Sequence, residues 1–120
     1  MDALRTLLPL AALFFVMDLP WLYTIGGWTQ SMVKTIQGGA PFQMRWEGAP
    51  VVYLALAFLL TRARNTVEAF WIGLSTYAVY DFTNYATLAK YELNFAMADT
   101  LWGGTLFALV REAALRLNLL

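Results

Sequence analysis

The chain has 120 residues, 60% of them hydrophobic and 16% aromatic, and its 13% charged residues divide into eight Lys/Arg and eight Asp/Glu. A soluble domain carries about 25% charged residues, so this composition excludes a disordered segment, and the even charge balance excludes the basic footprint of a nucleic-acid binder. Cysteine and histidine are both absent, which removes disulfides, thiolate catalysis, Cys/His zinc sites, His-ligated haem and imidazole acid–base chemistry.

A soluble chain of this size leaves roughly a third of its unfolded surface in water, and covering that surface here would demand a large exposed apolar patch. A membrane protein is the reading that fits, with a mean hydropathy of +0.56. Yet no charge-free run reaches the 18 residues that mark a spanning helix. The longest are Leu19–Val33 (15 residues), Gly48–Thr61 (14), and Thr6–Met17 and Ala69–Tyr80 (12 each).

The first apolar tract runs from about Leu4 to Ile25 and stops at Gly26-Gly27. Arg5 and the apolar stretch behind it resemble a signal peptide, but Asp18, Pro20 and Trp21 stand where small residues and a cleavage site belong, so an uncleaved span is expected. Between Gly26-Gly27 and Gly38-Gly39 lies Trp28–Gln37. There Trp28, Met32 and Ile36 recur every four residues among polar Gln30, Lys34 and Gln37, the pattern of a short helix in the interface plane.

The second tract, Phe42–Leu60, carries Pro41 and Pro50 near its start; proline suits a first helical turn, so Pro50 points to a later start or a kink. The third tract runs Val67–Leu88 and the fourth Leu93–Val110. Each of the four tracts is long enough to cross about 30 Å of hydrocarbon at 1.5 Å per residue. Backbone groups in lipid must be satisfied within the segment, and no period-two alternation suggests a barrel. The expected fold is all-α: one domain over residues 1–120, an integral membrane four-helix bundle with a short interfacial helix between its first and second helices.

Four spans put both termini and the loop between helices two and three on one side, with Arg5, Arg62, Arg64, Arg111 and Arg116. Lys34, Arg45 and Lys90 fall on the other. The excess predicts cytoplasmic termini in a multi-pass protein of a bacterial-type inner membrane. Trp28, Trp46 and Tyr91 are expected as interfacial anchors, since Trp and Tyr gather there whatever the function.

A single aspartate breaks three of the four tracts: Asp18, Asp81 and Asp99. Asp18 lies seven residues before Ile25, Asp81 seven before Leu88, and Asp99 six after Leu93. Because helix direction alternates, all three fall about two turns below the non-terminal surface. An ionisable side chain at such depth faces the bundle interior with a partner. Trp21 follows Asp18 by three, Asn84 follows Asp81 by three, and Trp102 follows Asp99 by three, so each companion shares its aspartate's helical face. Ala69, Gly73, Tyr77, Asp81 and Asn84 form one stripe, and Ala96, Asp99, Gly103 and Val110 another. Small residues at this spacing let helices approach closely. The predicted polar site is therefore Asp18, Trp21, Tyr77, Asp81, Asn84, Asp99 and Trp102, a shared pocket in which three ionised acids would repel. Ala69, Gly73, Gly103, Gly104 and Ala108 are the predicted packing positions, with Ala69/Gly73 and Gly104/Ala108 offering contacts for a homo-oligomer.

Tyr80-Asp81-Phe82-Thr83-Asn84-Tyr85-Ala86-Thr87-Leu88 closely resembles the third-helix signature of a small bacterial family of predicted membrane proteins, domain-of-unknown-function family 2177. Asp99-Thr100-Leu101-Trp102-Gly103 looks like its fourth-helix motif, and Asp18-Leu19-Pro20-Trp21-Leu22 resembles its first-helix Asp-x-x-Trp element. Trp28-Thr29-Gln30 sits at its aromatic-x-Gln. The second helix matches in hydrophobicity alone, and Pro20 departs from the family pattern of a helix former, which predicts a kink beside Asp18. The resemblance implies four spans and a membrane location, and it implies no activity.

Three roles compete. In the first, a non-catalytic accessory or structural subunit of a larger membrane complex uses the site to hold a cation, a lipid head group or a partner's polar side chain. In the second the aspartates relay protons or cations in a transporter or channel component. In the third, a lipid-modifying enzyme, an acid would act as general base beside an oxygen-ligated Mg²⁺ or Ca²⁺; no nucleophile with an evident base and no phosphate loop supports it. The sequence identifies no cofactor; the bilayer is the expected partner, with no nucleic acid.

Overall fold

The computed structural model describes residues 2–120. Among them the chain forms four α-helices and no strand: α1 (Asp2–Ile36), α2 (Gly48–Leu60), α3 (Thr66–Thr87) and α4 (Leu93–Arg116). Two of these, α1 and α4, are long and apolar enough to cross a membrane.

The first tract does not stop at Gly26-Gly27. Helix α1 continues through both glycines, and through Pro9 and Pro20, to Ile36, so Trp28–Ile36 is the last quarter of one 35-residue helix rather than a separate helix in the interface plane. Two interior glycines cost about 1 kcal/mol each, and tertiary contacts outweigh that. Ile25 and Met32 are buried against Tyr91, Phe95 and Ala96. The Trp28 indole donates to Glu92 Oε1 at 3.2 Å and meets the Phe95 ring edge-on at 5.4 Å between centroids. The true break comes at Gly38 and Gly39, with φ of 67° and 98°, a left-handed backbone that favours glycine.

Helix α2 begins later than the apolar tract, at Gly48 rather than Phe42. Pro50 is the cause: it falls in the first turn, where its missing N–H needs no partner, and a helix begun at Phe42 would have carried it inside. Helix α3 starts on a side-chain cap, Asn65 Oδ1 accepting the Glu68 N–H at 2.8 Å, while Glu68 Oε1 accepts the Arg64 N–H at 2.9 Å. Helix α4 runs six residues past the predicted Val110, to Arg116.

Helix α4 is the central element, touching both α3 and α1, and α2 lies chiefly against α1. Across α1 and α4 the contacts climb in opposite directions: Phe14 with Phe107, Asp18 with Trp102, Trp21 with Asp99, Trp28 with Glu92. The two helices are thus antiparallel in fixed register. Two apolar clusters fill the interior. One holds Leu10, Phe14, Leu56, Leu60, Leu106, Phe107 and Val110; the other is the Ile25–Met32–Tyr91–Phe95–Ala96 group. Asp18, Trp21, Asp99 and Trp102 form a polar layer between them.

Candidate polar site in the helix interior

Close approach of α3 to α4 sets the geometry. A Cβ added at Gly73 would strike the Gly103 carbonyl oxygen and the Phe107 ring at 2.6 Å, and one at Gly104 would sit 2.7 Å from the Phe70 ring. A Cβ at Gly103 would collide with Tyr77. The small-residue stripes are therefore consumed inside the chain. Ala69, Gly73, Gly103 and Gly104 are all buried within the chain, and Ala108 is half-buried on α4.

Four elements meet at the aspartates. Asp18 is buried, 5% exposed, and takes two donors: the Tyr53 hydroxyl of α2 to Oδ2 at 2.7 Å and the Trp102 indole of α4 to Oδ1 at 2.7 Å. In return the Trp21 indole of α1 donates to Asp99 Oδ1 at 2.9 Å. Each Asp-x-x-Trp segment thus lends its indole to the aspartate of the other. The two indoles stack at 5.3 Å with only 13° between their planes. An antiparallel pair makes this exchange possible, because a step of three residues up one helix matches three down the other.

Asp81 on α3 has no exposed surface. Its Oδ1 accepts the Tyr91 hydroxyl at 2.7 Å, and its Oδ2 meets no donor among the described residues. The Asp99 carboxyl lies within hydrogen-bonding reach of the Asp81 side chain. Tyr91, in the turn between α3 and α4, is itself buried. Burial first, and the bond to Asp81 next, hold its phenol well above the ordinary range, so it serves Asp81 as a donor.

The predicted residues are thus brought together as a chain of contacts rather than in one pocket. Asp18 sits among α1, α2 and α4, Asp81 and Asp99 pair between α3 and α4, and the Trp21/Trp102 stack joins the two parts. Tyr77 lies within electrostatic range of Asp18, Asp81 and Asp99. Asn84 stands beside Tyr80 and Tyr91, both of which lie close to Asp81. No three Asp, Glu, His or Cys side chains among the described residues converge to hold a metal ion. A surface crevice of about 670 Å³ opens elsewhere, between Gln37, Ala40, Pro41, Gln43 and Arg45.

Two members escaped the sequence reading. Tyr91, expected as an interfacial anchor, is a buried donor to Asp81; its hydroxyl is the only one in the turn Leu88–Glu92, but a turn position carries no helical phase to predict where it points. Tyr53 is the one side chain in Gly48–Leu60 able to donate a hydrogen bond, and that singularity was the available signal.

A family model described as "Predicted membrane protein (DUF2177)" matches residues 3–115. No curated protein and no solved structure matches the chain.

Proposed function

The chain belongs to that family of predicted membrane proteins, and from this premise we propose a multi-pass, non-catalytic membrane protein, an accessory or structural subunit whose interior polar layer is its working part. The reciprocal Asp–Trp exchange between α1 and α4 carries the reading. A buried and a half-buried acid held by stacked indoles between apolar clusters form a specific latch, and interhelical polar bonds of this kind fix register where lipid supplies no hydrophobic drive. The outer faces support a bilayer as solvent: Val16, Leu22, Val51, Trp71, Val79 and Leu101 are exposed, while the acids are inside.

In this proposal all four helices cross. Helix α2, at about 20 Å by its rise, is shorter than a hydrocarbon core of about 30 Å; Trp46 before it and Arg62 after it are side chains that anchor such a span, with local thinning of the bilayer making up the difference. The termini and the α2–α3 loop then face the cytoplasm on the Arg excess, and the acidic layer lies toward the opposite leaflet. The half-buried Asp99 carboxyl is where a polar group of a lipid or of a partner subunit would be received.

The test is to replace Asp18, Asp81 and Asp99 singly with Asn and purify each protein in mild detergent. The latch predicts lower unfolding resistance for Asp18→Asn and Asp99→Asn, and altered co-purifying lipid or protein for Asp99→Asn. Wild-type stability, lipid content and partners in all three variants would refute it.

A further inference from the structure

We propose that Asp81 and Asp99 form a carboxyl pair that binds one exchangeable proton. This deepens the reading above by naming a ligand for its polar layer, and it rests on that layer lying within the membrane.

The argument begins from an orphan. Asp81 is wholly buried; Tyr91 satisfies one oxygen, and the other has no donor among the described residues. A carboxylate is an acceptor only, so the neighbouring Asp99 carboxyl can satisfy that oxygen in just one way, by one of the two groups carrying the proton. Two ionised carboxylates in contact away from water are the arrangement that one shared proton relieves.

A cation is the rival occupant, and the surroundings disfavour it. The ion pair among the described residues joins Arg64 to Glu68, near the start of α3, and no Lys or Arg side chain is paired with any of the three aspartates. Among the described residues no third acidic group converges to hold a metal ion, whereas a hard cation such as Ca²⁺ takes about six to eight oxygens. The titratable groups facing the pair are Tyr91 from the turn, Tyr77 and Tyr80 from α3, and Asp18 from α1. All are acids, and none supplies a positive charge.

Binding moves one proton from hydronium to the pair and releases water, so only O–H bonds form and break. Because the Trp21 indole donates to Asp99 Oδ1, the occupancy of the pair is felt by the Trp21/Trp102 stack.

Infrared spectroscopy of the full chain in dodecyl maltoside, a detergent without a carbonyl group, tests this at neutral pH. The expected result is a protonated-carboxyl C=O band that shifts in D₂O, is lost in Asp81→Asn and in Asp99→Asn, and persists in Asp18→Asn. Should either paired variant fail to fold, Tyr91→Phe decides: removing one donor to Asp81 must move the band to higher frequency without abolishing it. The proposal is overturned by the absence of the band in the wild-type chain, by a band that depends on Asp18 alone, by a band unmoved in Tyr91→Phe, or by its loss on adding sodium at constant pH. Failure of the accessory-subunit reading is separable, since partners and lipid can be lacking while the band remains.

Discussion

Each interior aspartate here is matched to an aromatic donor, and the matching differs from one to the next. Asp18 takes Tyr53 and Trp102, Asp99 takes Trp21, and Asp81 takes Tyr91. An indole N–H or phenol O–H brings its donor on a large apolar body, which suits an interior where any other polar surface would need its own partner. Measured interhelical hydrogen bonds in membranes are modest, so Trp102→Phe, which keeps most of the ring stack and removes one N–H, is expected to cost about 1–2 kcal/mol. Trp21→Phe is expected to cost a similar amount. Since both indoles also stack on each other, the double variant should differ from the sum of the singles, as contacting residues do; detergent unfolding of the four-member cycle measures this. The aspartates were legible in the sequence because a lone charge inside an apolar tract is conspicuous. Their tyrosine partners were not, because Tyr53 reads as one more apolar residue and Tyr91 sits in a turn.

Helices impose the next constraint, through backbone distance and continuity. Gly73 and Gly103 allow α3 and α4 to meet backbone to backbone. Gly73→Ala gains about 1 kcal/mol of helix propensity, but its methyl would press on a carbonyl oxygen that cannot yield, and overpacking costs about 1–3 kcal/mol or more. Net destabilisation is the expected outcome. Gly26 and Gly27 lie in the interior of α1 with nothing near a built Cβ, so Gly26→Ala and Gly27→Ala should each raise the unfolding midpoint, by about 0.5–1 kcal/mol. Thermal unfolding in detergent separates these opposite signs for the same chemical change. The stripes of α3 and α4 were readable from period alone. The continuity of α1 was not, because a Gly-Gly pair signals a break locally, and what holds that segment helical is Tyr91, Phe95 and Glu92, more than 60 positions away in the chain.

At the scale of the molecule, the interior is apolar apart from the aspartate layer, and Leu, Val, Phe and Trp stand on the outer faces as well. The all-helical class followed from hydropathy, while the order of contacts, with α4 central, depended on side-chain matches that no single tract reveals. The central claim is that four helices cross the bilayer and hold the aspartate layer toward the non-terminal side. Because the chain lacks cysteine, single thiols at Ala40→Cys, Thr61→Cys, Ala89→Cys and Leu120→Cys can be labelled in sealed membranes with an impermeant reagent. The account predicts that positions 40 and 89 react from the outside, and that 61 and 120 react only after the membrane is opened. Labelling of position 61 from the outside together with 40 and 89 would contradict it, since α2 and α3 would then fail to cross.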